Sequence, residues 1–438
     1  MYECSNSNGT PNRSGSFAKL GWLLLIGAIL AALPLGGVGC KKAESGDTVK
    51  VGILHSLSGT MEISEKSLKD AELMAIEEIN ASGGVLGKKI VPIVVDPASD
   101  WTGKFPELAK KLLLQDKVAC VFGCWTSVSR VNVKPVFEKE NGLLFYPVQY
   151  EGNESSKNII YSGAAPNQQI LPAMDWLVNE KKYKTFYLLG TDYIFPRTAN
   201  LIIVKYLESK GLKVVEEKYT NFGHKDYATY VQDIKAKAPD VIFSTINGDS
   251  NVNFYNEMAA QGLTAEKYPV IAVSVGEDEM LKVDPAKAKG HYAAWNYFQS
   301  IDTPKNKEFV KKFQDKYGKD RVTDDPIAAA YAQVYLWKLA VEKAKSFDVD
   351  AVRKAFVSGE IEFDAPEGKI KVDPKSLHVY KYFRLGKARE DRQFDVVYET
   401  KDWIQPDPYP EVAFPGWSVD WTKGGVTQGK KVDVIPGK

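Results

Sequence analysis

From residue 48 onward, short apolar runs alternate with segments whose apolar residues recur every three or four positions. The runs at 49–54, 90–95, 118–122 and 143–146 are predicted strands. Between the first two, Leu68, Ala71, Ala75 and Ile79 share one helical face, and Gly83-Gly84 ends that helix. Helices are predicted around 108–114 and 129–137. A second series has strands near 185–189, 214–219, 241–245 and 270–273, with helices near 168–180, 197–210, 227–237 and 251–261. Such alternation predicts an α/β fold of parallel sheets with helices on both faces. Two series predict two doubly wound lobes, with the small, polar stretch 162–168 as a crossover. Residues 304–358 continue as helices, and strands are predicted at 370–372, 379–385 and 394–398. Pro406, Pro408, Pro410 and Pro415 make 405–417 irregular.

Residues 20–40 carry no charge, with Arg13 and Lys19 before them and Lys41 and Lys42 after. A basic start, a short apolar run and small residues before a cut point read as a secretory signal over 1–39. An uncleaved membrane anchor is the alternative, but Pro34 and the neighbouring glycines shorten the helix below the ~20 residues a span needs. Gly37-Val38-Gly39-Cys40 resembles a bacterial lipobox. That resemblance implies lipidation at Cys40, a lipid-anchored tether over 40–47, and a folded part in the periplasm or at the cell surface.

Lys+Arg is 57 and Asp+Glu is 56, a net charge of +1, which leaves no overall electrostatic footprint for nucleic acid. His55, His224, His291 and His378 are scattered without metal-ligand spacing, so no metal or cofactor is expected. Cys120 and Cys124 flank the third strand; four extended residues span about 13 Å, too far for a disulfide, so both read as buried apolar groups. Residues 83–88 fail the phosphate-loop spacing and follow a helix. No G-x-G-x-x-G follows the first strand, there is no G-x-S-x-G, and no spacing ties a triad together, so an enzyme is not expected.

Ligands of open α/β sheets bind beyond the carboxyl ends of the strands. Five strand ends here set neutral polar groups beside aromatic rings: 123–127, 146–152, 190–197, 247–250 and 274–277. Some of their Ser, Asp and Asn residues serve as helix caps. Trp125, Tyr146 and Tyr193 are large rings at loop tips, where a ring is either packed or in contact with a ligand. No histidine lies in these loops, so affinity for a neutral ligand is expected to change little between about pH 6 and 8.

The same stretches, with Gly163-Ala164-Ala165-Pro166-Asn167-Gln168 and Gln405-Pro406-Asp407-Pro408-Tyr409, resemble the type I periplasmic binding proteins of ABC transporters over nearly all of 48–421. Trp125, Val148-Gln149 and Asn247-Gly248-Asp249-Ser250 resemble the urea-binding branch; short-chain amide binders and sensors start the first motif with Tyr and carry Thr-Pro in the second. The resemblance implies two Rossmann-like lobes joined by three crossovers that close on the ligand like a flytrap. The first lobe would take 48–164 and the second 165–295, with 296–365 returning to the first and 366–438 to the second. It implies an extracytoplasmic component that binds urea and delivers it to permease subunits. A short-chain amide or branched-chain amino-acid binder, or an amide-sensing regulator, remains an alternative. By position, Trp125 and Tyr146 would form flat walls, Ser127, Gln149 and Asn247 would supply donors and acceptors, and Tyr193 would join them. Asp249, Ser274 and Glu277 are further candidates. Phe195 stands where the amide sensors carry Tyr.

Overall fold

The computed structural model describes residues 46–431. The expected signal (1–39), the lipidation site Cys40 and most of the tether lie outside the described residues.

The first sheet has the order β2-β1-β3-β4-β5 and is parallel throughout. Its strands are β1 (Thr48–Leu54), β2 (Lys89–Val95), β3 (Val121–Gly123), β4 (Leu144–Tyr146) and β5 (Ile159–Tyr161), and its connections include α1 (Glu62–Ala81), α2 (Lys104–Lys111) and α3 (Ser127–Lys139). The second sheet is built on β6 (Thr185–Thr191), β7 (Lys213–Thr220), β8 (Val241–Thr245), β9 (Val270–Ala272) and β10 (Tyr292–Trp295). Around it lie α4 (Ile170–Asp175), α5 (Ile194–Ser209), α6 (Ala228–Lys237), α7 (Ser250–Ala260), α8 (Glu277–Met280) and α9 (Pro285–Ala288).

The chain then returns to the first lobe as α10 (Pro304–Tyr317), α11 (Asp325–Ala344), α12 (Val349–Val357) and a hairpin of β11 (Glu362–Ala365) and β12 (Gly368–Lys371). Asp324 starts α11 by accepting the Ile327 N–H at 3.0 Å, and Pro326 sits in its first turn. Ala328, Val334, Trp337 and Val341 of α11 share one core with Ile53, Phe122 and Leu144. Then β13 (Arg384–Ala388) adds antiparallel to β10, and β14 (Phe394–Glu399) antiparallel to β13, completing the order β14-β13-β10-β9-β8-β6-β7. Three crossings therefore join two lobes, the α/β flytrap that the sequence pattern and its resemblance predict.

Some elements differ from expectation. Strand β3 starts three residues late because the Val118 N–H turns back to the Leu112 carbonyl at 3.1 Å, prolonging the preceding helical turn. The sequence pattern missed β5 and β10. They span three and four wholly buried residues, too short for a periodicity to show. No strand runs over 379–385: Val379 and Lys381 make single bridges to Val372 and Ile404, and the ladder begins at Arg384. Ile370, Val372, Leu377 and Val379 belong to the first lobe's core, whereas Phe383 and Leu385 belong to the second's. The last crossing thus falls at 380–383, not at the expected residue 366. Cys120 and Cys124 are buried free thiols. Among the described residues, no helix is long and apolar enough to cross a membrane.

His291 is buried, and its Nδ1 accepts the Val270 N–H at 3.0 Å. Burial lowers its pKa from 6.5 to about 4. The unfolded chain protonates this ring below about pH 6.5 and the folded chain does not. The contribution is therefore complete above pH 6.5 and is lost as pH falls towards 4. His291→Gln keeps an acceptor and removes the titration. Between pH 6.5 and 4 the wild type should lose about 1.4 kcal/mol per pH unit relative to this variant, read from guanidinium unfolding midpoints.

Candidate ligand-binding site

The site is built where the carboxyl ends of the two sheets face each other. At the end of β3, a Cβ on Gly123 would come within 2.3 Å of the Leu54 carbonyl oxygen, so only glycine lets the chain pass β1 this closely. Cys124 then turns at φ +66°, a left-handed conformation uncommon outside glycine. This turn sets Trp125 at the end of the sheet. The Thr126 hydroxyl accepts the Ser129 N–H at 3.1 Å and opens α3, which puts Ser127 in its first turn.

Behind Ser127 lies Arg130, fully buried, a cation that sequence reasoning missed. Its guanidinium donates to Glu151 at 2.8 Å, to Glu154 at 2.9 Å and to Ser127 Oγ at 3.1 Å. It lies 4.9 Å from the ring centre of Tyr146 and 4.6 Å from that of Tyr150. The Ser127 hydroxyl donates in turn to Glu151. With its hydrogen spent and one lone pair taken, Ser127 can offer a ligand only an acceptor. Tyr146 donates its hydroxyl to the Trp125 carbonyl, and its phenol is pushed up by burial, so it stays protonated. One face of the Tyr146 ring is covered by Arg130, which leaves Trp125 as the less committed ring of the two expected walls. The spacing Ser127-x-x-Arg130 on α3 was a legible signal, since residues three apart share a helical face.

Gln149 joins the lobes. Its Nε2 donates to the Val273 carbonyl at 2.7 Å and to Ser274 Oγ at 3.1 Å, both at the end of β9. The carbonyl partner must receive a hydrogen, which fixes the amide's orientation and leaves Gln149 Oε1 buried without a partner. Asn247 follows β8; its backbone N–H is held by Thr191 Oγ1 at 2.9 Å and its Nδ2 by the Thr245 carbonyl at 3.0 Å. Its Oδ1 is likewise buried and unpartnered, as is one oxygen of Asp249. Tyr193, between β6 and α5, is buried near Tyr146, Arg130 and Glu151 of the other lobe.

Two further contacts close the seam. The Phe222 ring packs 4.7 Å from Tyr193 and 5.3 Å from Trp101, bridging the lobes. A Cβ on Gly248 would meet the Thr60 carbonyl at 3.0 Å. Trp101 and Phe222 had no local signal, because only the tertiary fold brings them together. The mouth of the cleft, about 710 Å³, is lined by Thr60, Lys66, Asp249, Asn253, Asp278 and Arg321 among others. Phe195 lies 6.3 Å from Tyr193, and Glu277 is buried with its pKa raised by burial to about 8. Among the described residues, no group of three or more His, Cys, Asp or Glu side chains is placed to hold a metal ion.

Arg130→Met should lower stability by about 3–5 kcal/mol, because it leaves Glu151 and Glu154 as buried charges without their cation. Thermal and guanidinium unfolding check this. Arg130→Lys should recover only part of the loss, since an ammonium cannot reproduce the forked contacts. A change below 1 kcal/mol for Arg130→Met would remove the network from any structural role.

A family described as periplasmic binding protein domain matches residues 49–414, most of the chain. The leucine-, isoleucine-, valine-, threonine- and alanine-binding protein of Pseudomonas aeruginosa is 24% identical over 359 residues, which cover 79% of this chain and 91% of that protein. Limonene hydroxylase of Geobacillus stearothermophilus is 31% identical over 121 residues, 28% of this chain but only 22% of the hydroxylase's length. Among solved structures, an amino acid ABC transporter substrate-binding protein from Pseudomonas fluorescens Pf-5 superposes with a TM-score of 0.71 at 22% identity, covering 83% of this chain and 98% of that one. By fold and by the extent of the family match, the chain belongs to the periplasmic binding proteins.

Proposed function

We propose that this chain is the extracytoplasmic substrate-binding component of an ABC importer, and that it closes its lobes on urea. The observation that carries this reading is the set of neutral acceptors at the facing strand ends. Gln149 Oε1 and Asn247 Oδ1 are buried without partners, and Ser127 Oγ has one lone pair left. An acceptor left unmet when buried costs about 1–3 kcal/mol, so these positions call for a ligand rich in N–H groups. Urea carries four N–H bonds on a flat, uncharged frame, and the indole of Trp125 supplies a flat neighbour. Delivery to permease subunits, with Cys40 lipidated and residues 1–39 removed, completes the reading.

The Pseudomonas aeruginosa relative supports a second reading, a branched-chain amino acid as ligand. Asp249 and Glu277 could then face an ammonium group. Against it stands the carboxylate of such a ligand, which needs a cation or a nest of N–H groups. The buried cation beside these loops, Arg130, is already neutralised by Glu151 and Glu154.

Titration calorimetry with urea, acetamide, formamide and leucine separates these readings. Urea should bind, leucine should not, and Trp125→Ala should weaken urea by about 1–3 kcal/mol. Because Trp125 is buried in the first lobe's core, the variant should also melt lower, so affinities are compared at a temperature where both proteins are folded. Tight leucine binding without urea binding would move the chain to the amino-acid branch, and equal affinity for acetamide and urea would mark a general amide binder. Mass spectrometry of the mature N-terminus should find a lipid-modified Cys40; an intact chain from Met1 would refute cleavage and lipidation at Cys40.

A further inference from the structure

Helix α8 of the second lobe rests on α1 and on the start of α11, both of the first lobe. Ser64 on α1 donates to Glu279 Oε1 at 2.6 Å, and a Cβ on Gly276 would lie 2.9 Å from the Asp324 side chain. This seam buries five carboxyl groups, those of Glu277, Asp278, Glu279, Asp324 and Asp325. Among the described residues none of the five forms an ion pair; Arg321, whose charge acts on Asp278, is paired with Asp70. One oxygen each of Glu277, Asp278 and Asp325 is buried without a hydrogen-bond partner.

The neighbours do not balance this charge. Helix α1 presents Glu62, Lys66, Lys69 and Asp70, in which Lys66 pairs with Glu62 and Lys69 with Asp70, and Glu65 faces His55. Asp320 and Arg321 precede α11, and Lys282 follows α8. On the far side of Asp325, Lys381 is paired with Glu367. Backbone N–H groups give partial relief: Gln299 to Glu277 at 2.7 Å, Gly276 to Glu279 at 2.9 Å and Asn296 to Asp325 at 2.9 Å. A buried carboxyl without a cation takes up a proton instead. In line with that, burial raises Glu277 to about 8, Glu279 to about 7 and Asp278 to about 6, and raises Asp324 and Asp325 as well.

We propose that closure of the two lobes is coupled to proton uptake by this seam, with Glu279 as the positioning residue that latches Ser64. When the lobes part, α8 leaves α1 and α11, water reaches the carboxyls, and they give up their protons to solvent. The Ser64–Glu279 hydrogen bond survives protonation, because donor and acceptor can exchange while Oε2 keeps the Gly276 N–H. Since the closed form holds protons more tightly than the open one, closure is favoured at low pH and weakens as pH rises through about 6 to 8. Each proton taken up changes the closing equilibrium by up to tenfold per pH unit. The coupling rests on the closing fold and not on the identity of the ligand.

Small-angle scattering of the purified protein from pH 5.5 to 8.5 should show a radius that grows with pH. Glu279→Gln mimics the protonated acid, donating to Ser64 and accepting from Gly276, and should stay compact further up the range. Ser64→Ala breaks the latch while keeping all five carboxyls and should shift the wild-type curve towards the open form without abolishing its pH dependence. A wild-type radius that does not change with pH, or a Glu279→Gln curve that overlays the wild type, overturns the coupling. Calorimetry with urea at pH 7 in two buffers of different ionisation heat should report net proton uptake in the wild type and less in Glu279→Gln. A pH-dependent radius with no heat from urea would reject urea as the ligand and uphold the coupling.

Discussion

A guanidinium with no access to water fixes the chemistry of the first lobe's binding edge. Arg130 is stable there only because Glu151 and Glu154 neutralise it and the rings of Tyr146 and Tyr150 cover it. Each of those residues follows a different constraint of the fold: Arg130 comes from α3, Tyr146 from the end of β4, and Glu151 and Glu154 from the loop beyond. The ion cluster therefore ties the two strand ends into one rigid surface before any ligand arrives. It also sets the polarity of Ser127, whose hydrogen is directed inward to Glu151. Whether the Ser127 hydroxyl can donate or accept is thus decided one layer behind the strand end.

The second lobe solves a different problem. Its loops are held by backbone and side-chain hydrogen bonds between neighbouring strand ends, such as the Asn247 N–H to Thr191 Oγ1. The bond from Gln149 to the end of β9 crosses the seam. Gly163 allows this: a Cβ there would come within 2.1 Å of the Val148 carbonyl group, so the loop carrying Gln149 can lie flat on the crossover. Position in the first lobe and contact with the second are consequently set by the same short stretch of chain.

The repeated strand–helix rhythm made both lobes legible, because parallel strands buried on both faces read as apolar runs. Trp125, Ser127, Tyr146, Gln149, Tyr193, Asn247, Asp249 and Ser274 could all be placed at strand ends, and the fold brings those ends to one seam. What escaped depended on distance. Strands β5 and β10 are too short to carry a period, and Trp101 meets Phe222 only after both lobes have formed. Arg130 was within reach, three residues from Ser127, but a lone arginine on a helix reads as a solvated charge until its neighbours are known. The five strand-end loops hold no histidine; the carboxyls that burial raises are Glu277, at the end of one of those loops, and its neighbours on α8 and at the start of α11.

That separation has a physical logic. A neutral ligand held by neutral acceptors gives no electrostatic lever for release, since changing pH or salt alters neither partner. Closing two lobes, however, must bury whatever lies along their seam, and a carboxyl is the group whose burial is most sensitive to protons. On the urea reading, placing such groups at Glu277, Asp278 and Glu279, next to but outside the acceptor set, would keep recognition independent of charge while the closing motion is not. The cost of burying these acids falls on the closed state alone. A closed state weakened in this way opens more readily, which serves a protein that must surrender its ligand as well as capture it.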